Sequence, residues 1–160
     1  MKIKLTLLLV IICITSYSQK INKQDSLKLV STWQKTTKYI LANDTFKLRA
    51  LCLDTIACGL CGYRNDTIVD DVKSINDFLQ NGLIKLRSNQ KLWAIVANSV
   101  PIYAKSGYMF IQGHKEITYE VIYTYHEPNE LAKKHEGVQV VFDFVLTQGN
   151  YKLASISTVP

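Results

Sequence analysis

At 160 residues, the chain can bury one ordinary hydrophobic core and is too short for two. With 48% hydrophobic and 20% charged residues it has the composition of a globular domain, which excludes disordered and fibrous classes. The net charge of +6 is spread over scattered lysines, Lys133-Lys134 being the one adjacent pair, so the basic stripe of a nucleic-acid binder is missing.

The N-terminus, "MKIKLTLLLVIICITSYSQ", has the layout of a secretory signal peptide. Lys2 and Lys4 form its basic region, the run from Leu5 to Ile14 its apolar core, and Ser16 and Ser18 its small residues before Gln19. The apolar run is about half the ~20 residues that a spanning helix needs. Ile11 and Ile12 precede Cys13 where a lipoprotein signal needs small residues. The expected organisation is a signal peptide at 1–18 and a single exported domain at 19–160, periplasmic or secreted, with no membrane span after processing. Lys2 and Lys4 leave with the signal, so Lys+Arg falls from 19 to 17 against 13 Asp+Glu, and the net charge to about +4. Cys13 leaves as well. The remaining Cys52, Cys58 and Cys61 predict one bridge and one leftover thiol in an oxidising compartment.

In chain order, "QDSLKLVSTWQKTTKYILAND" places Leu27, Val30, Trp33, Thr37, Ile40 and Leu41 at helical spacing, with Asp25 as N-cap and Asn43-Asp44 as the stop. Asp44 can cap a second helix, "TFKLRALCL", which leads into an irregular loop, "IACGLCGYRN". Ser74 and Asp77 have the spacing of a capping box. They predict a third helix striped by Ile75, Phe78, Leu79, Leu83 and Leu86, followed by helical turns packing Leu92, Trp93 and Val96 up to Pro101. Beyond Pro101 the period changes to two. "GYMFIQ" reads as a short strand. "EITYEVIYTYH" puts Ile117, Tyr119, Val121, Tyr123 and Tyr125 on one side, and "VQVVFDFVLT" does the same with Val138, Val140, Phe142, Phe144 and Leu146. "EPNELAKKHEG" is a solvent-exposed link, "QGN" a tight hairpin turn and "YKLASISTV" the last strand. Helices first and antiparallel strands afterwards predict an α+β domain.

The element order, and above all the ending "VVFDFVLTQGNYKLASISTVP", resembles secreted bacterial members of the nuclear transport factor two-like superfamily. That resemblance implies N-terminal helices on the concave face of a curved antiparallel sheet, a cone enclosing a pocket. Some members of that superfamily are isomerases, dehydratases or cyclases, and many are binding or assembly domains, so the fold does not decide the function.

The Cys58–Cys61 spacing is that of thioredoxin loops, but no βαβ pattern surrounds it and "GYRNDT" is not a helix start. A staple, Cys58–Cys61 or Cys52–Cys61, is the expected role. One C-x-x-C with His114, His126 and His135 in or beside strands lacks the second ligand pair of a structural zinc site, so no metal and no cofactor are expected. Glu120, His126 and Asp143 fall on the side of their strands opposite the aromatic rows and are expected to face solvent without catalytic function. The sequons at Asn43 and Asn65 would matter only in a eukaryotic secretory pathway. Tyr119 and Tyr123, with Phe142, are candidate pocket lining, because a phenol joins apolar area to a hydrogen-bonding tip. The resulting expectation is an exported, non-enzymatic binding module for a small apolar ligand or a protein partner, with a homodimer through the sheet among its partners. The alternatives are a pocket enzyme of isomerase, dehydratase or cyclase type, or a periplasmic toxin-immunity protein.

Overall fold

A computed structural model describes residues 23–61, 63–64, 67–68, 72–111 and 113–160. The expected signal peptide at 1–18 and the Asn65 sequon lie outside the described residues. The long helix α1 is Lys23–Ala42. Its buried stripe is Leu29, Trp33, Thr36 and Ile40, rotated from the expected one, and Leu27 and Leu41 are 63% and 51% exposed. Thr36 tolerates burial because its hydroxyl donates to the Thr32 carbonyl at 2.9 Å. Asp25 lies in the first turn of α1 rather than capping it. Asn43 ends the helix at φ 55°, and Asp44 caps α2, Thr45–Arg49, by accepting from the Lys47 amide.

The second helix is shorter than expected, and the cysteine segment is not a loop. Cys52–Cys58 forms strand β1, followed by a 3-10 turn at Gly59–Cys61. Tertiary pairing with the C-terminal strand overrides local helix preference along this stretch. Short strands β2 (Tyr63–Arg64), β3 (Thr67–Ile68) and β4 (Val72–Ser74) come next. Ser74 caps the third helical region, accepting from the Asp77 amide at 3.2 Å. That region comprises α3 (Ile75–Asp77), a π turn (Phe78–Gly82) and α4 (Leu83–Ser88), and all five residues of its predicted stripe are buried. Asn89 then caps α5, Gln90–Asn98.

Four long strands complete the chain: β5 (Ile102–Ile111), β6 (His114–His126), β7 (Val138–Thr147) and β8 (Asn150–Val159). The β7–β8 turn is Gln148-Gly149, both at positive φ (49° and 76°) between the paired Thr147 and Asn150. This is the two-residue geometry whose twist matches the flanking strands. The curved, unclosed six-stranded sheet has the order β4-β1-β8-β7-β6-β5. Every neighbouring pair is antiparallel except β1–β8, which is parallel. The fold is thus α+β, with the helices on the aromatic face of the sheet. Trp33 of α1 sits 4.4 Å from Phe142 and 6.3 Å from Phe144, centroid to centroid. No helix among the described residues is long and apolar enough to cross a membrane.

Candidate functional site

Among the described residues, Cys58 and Cys61 are bridged across the 3-10 turn, and Cys52 is a buried free thiol. A Cβ added at Gly82 would lie 3.0 Å from the Phe78 ring and 3.2 Å from Cys61 Sγ, so the bridge packs tightly on the π turn. Burial pushes the Cys52 thiol up to about 12, against a downward pull from Lys152 and Arg49. Non-reducing peptide mapping should recover the Cys58–Cys61 bridge, with Cys52 alkylated by iodoacetamide only after denaturation. A Cys52–Cys61 bridge, or rapid labelling of the native protein, would refute this arrangement.

Tyr119, Tyr123 and Phe142 are all in the core between sheet and helices. Tyr123 Oη accepts from Trp33 Nε1 at 3.0 Å, and Tyr119 packs edge-on against Tyr151 at 4.9 Å. Burial raises both phenols, with the Trp33 contact partly offsetting this at Tyr123. Glu120, Asp143 and His126 are not one constellation. His126 belongs to a surface cluster: its Nδ1 lies 2.7 Å from Glu130 Oε1, to which Lys91 also donates at 3.0 Å. The Glu127 amide, Lys91 and His126 together hold the Glu130 carboxyl down at about 2. No group of three or more His, Cys, Asp or Glu among the described residues is placed to hold a metal ion.

Asp143 corrects the expectation of a solvated carboxylate. It pairs with Glu120 of β6 on one side and Ser155 of β8 on the other, is half-buried, and accepts a hydrogen bond from Ser155 Oγ. Burial pushes its carboxyl up to about 6; the Ser155 bond opposes that shift and Glu120 adds to it. The burial is tertiary in origin. Val141, Val145, Thr118 and Ser155, on the face away from the helices, are buried too. Both ends of the strand order border one cleft, of about 670 Å³, lined by Thr55, Val72, Met109, Ile111 and Lys152 among others. That volume suits a small ligand or a few side chains of a partner.

One wall of this cleft belongs to β5, the last strand in the sheet order, which among the described residues pairs with β6 alone. Met109, Phe110 and Ile111 all line the cleft, with Tyr108 just outside it on the same strand. Phe110 is 69% and Tyr108 53% exposed, and their rings meet edge-on at 5.6 Å. Lys115 Nζ lies 3.5 Å above the Tyr108 ring. A bulge between Lys105 and Tyr108 interrupts the β5–β6 ladder. Sequence reasoning did not identify this edge. Its signal was the unbroken apolar run "YMFI", which gives a strand two apolar faces instead of one.

No family model matches the chain, and neither does any curated protein. Among solved structures, the chain is similar to a protein of unknown function with a cystatin-like fold from Nostoc punctiforme. The two are 14% identical, with 89% of this chain and 96% of that one covered and a TM-score of 0.38.

Proposed function

We propose that this chain is an exported protein-binding module that takes an extended segment of its partner along the open edge of β5. The supporting observation is the Tyr108–Ile111 stretch, unpaired on its outer side among the described residues and apolar on both faces. Soluble proteins commonly blunt such edges with charge, bulges or covering loops. In β5 the bulge and Lys105 interrupt the strand before Tyr108, which favours docking along the residues beside the cleft. Strand addition would draw affinity from main-chain hydrogen bonds and selectivity from pockets for alternate side chains, and the 670 Å³ cleft is such a pocket. Tyr119, Tyr123 and Phe142 serve in this reading as the packed layer that holds the sheet beneath the docking edge. Export rests on the signal layout of residues 1–18. The resemblance of the element order to the cone superfamily, with its many binding domains, accords with the assignment.

Selection from a library of random ten-residue peptides, followed by hydrogen exchange, tests this reading. The selected binders should protect the amides of residues 108–111, and Phe110→Asp should weaken them at least about tenfold, as expected for an anchor residue. Phe110 is exposed, so the variant should remain folded. Binders that leave those amides unprotected, or that bind the Asp variant equally well, would refute the edge as the site. A stable homodimer in solution that itself protects residues 108–111 would assign the edge to a second copy instead of a partner.

A further inference from the structure

Beside α1 and α2 lies a second groove of about 450 Å³, which shares no lining residue with the cleft along β5. Its lining joins Tyr39, Phe46, Ala50 and Leu51 to Lys35, Lys47 and Arg49. Phe46 is 86% exposed. An aromatic ring left this open at the mouth of a mostly apolar groove is informative, since burying it would be favourable and nothing among the described residues does so. The left-handed Asn43 and the Asp44 cap fix the turn between the helices, which brings Tyr39 and Phe46 into one groove.

The charges around the groove are unbalanced. Lys47 is paired with Asp44 at 2.7 Å and also lies 5.7 Å over the Tyr39 ring. Arg49 donates to the neutral amide oxygen of Asn76 and has no ion-pair partner among the described residues. Lys35, one turn before Tyr39 on α1, has no ion-pair partner among the described residues. Among the described residues, three cations therefore meet one carboxylate at a groove with an apolar lining. We infer that this groove binds a monomeric amphipathic carboxylate, with its chain laid against Phe46 and Leu51 and its head group held by Arg49 and Lys35. An apolar pocket with a few convergent polar groups at its mouth is the usual design for such a ligand, and a guanidinium fork matches a carboxylate in geometry as well as charge.

The probe is dodecanoate below its micellar concentration, titrated calorimetrically into the purified chain, with dodecyltrimethylammonium as the same tail carrying the opposite charge. Dodecanoate should bind at one site, and the ammonium at least about tenfold more weakly. Phe46→Ser and Arg49→Gln should each weaken dodecanoate about tenfold, one kcal-scale anchor apiece, and added salt should erode only the head-group contribution. Both substituted residues are exposed, so circular dichroism should be unchanged. Equal binding of the two amphiphiles would refute the inference, as would indifference to both substitutions. Binding to anionic vesicles without binding of monomeric dodecanoate would assign the groove to a membrane surface and overturn it. Since neither substitution touches β5, failure of this inference leaves the edge-docking reading standing, and the converse also holds.

Discussion

Phe142→Ala is expected to lower the free energy of unfolding by about 3–5 kcal/mol, the range for removing a buried aromatic ring. Phe142 is fully buried, and its ring lies 4.4 Å from Trp33 and 6.5 Å from Tyr123. It therefore joins β7 to α1 and to β6 at one point. Truncation removes the transfer free energy of the ring and leaves a cavity that Trp33 cannot fill without giving up its bond to Tyr123 Oη. A domain of this size has about 5–15 kcal/mol of stability in all, so the variant should unfold at a much lower urea concentration, with an unchanged slope if the native state stays compact. A loss below about 1 kcal/mol would mean that the Trp33–Phe142 contact is not the centre of the core.

Asp143→Asn is expected to act in the opposite direction, and only above acid pH. Burial pushes the folded-state carboxyl up to about 6, against about 3.9 in an unfolded chain. Because the folded value is the higher, the folded state holds this proton more tightly. The stability contributed by the protonated form is fully present below about pH 4 and is lost as pH rises through about 6. The difference between those two values corresponds to roughly 3 kcal/mol at most. Asp143 keeps some solvent contact, so the expected gain of the Asn variant at pH 7 is about 1–3 kcal/mol. At pH 4 the two proteins should be nearly equal, since an amide oxygen can accept the Ser155 hydroxyl as the acid does. The check is the difference between variant and parent in urea unfolding at both pH values. Subtraction cancels groups such as Glu130, whose depressed carboxyl contributes with the reverse sign. A variant that is less stable at pH 7, or a difference that does not change with pH, would show Asp143 to be solvated or charged by design.

The strands β6, β7 and β8 were legible almost residue for residue, because a half-buried strand writes its two faces into alternate positions. Val140, Phe142 and Phe144 are buried against the helices as that alternation requires. The Ser74 cap and the Ile75-to-Leu86 stripe were equally plain, although the π turn within them was not. The misreadings share a cause. In "TFKLRALCL" the residues can propagate a helix, and only the parallel partner β8, about a hundred positions away, draws Cys52–Cys58 into the sheet. In α1, Leu27, Leu29, Val30 and Leu41 are all apolar. Which of them turn inward is decided by where Trp33 meets Phe142.

What the sequence determined by itself is therefore what depends on neighbours within one or two turns: the long helix, the Asp44 and Ser74 caps, the hairpin turn and the aromatic face of the sheet. It also limited the cysteine pairing to two choices, and the chain's path through the 3-10 turn selected Cys58–Cys61. The candidate sites were decided only by tertiary structure. Whether a strand is central or at an edge depends on the order of strands in the sheet, and no local pattern encodes that order; β5 reads as an ordinary short strand until it proves to be last in line. Asp143 likewise occupies an outward position by alternation. Its environment is nonetheless set by the curl of the sheet, which crowds the outer face around it and raises the cost of its charge.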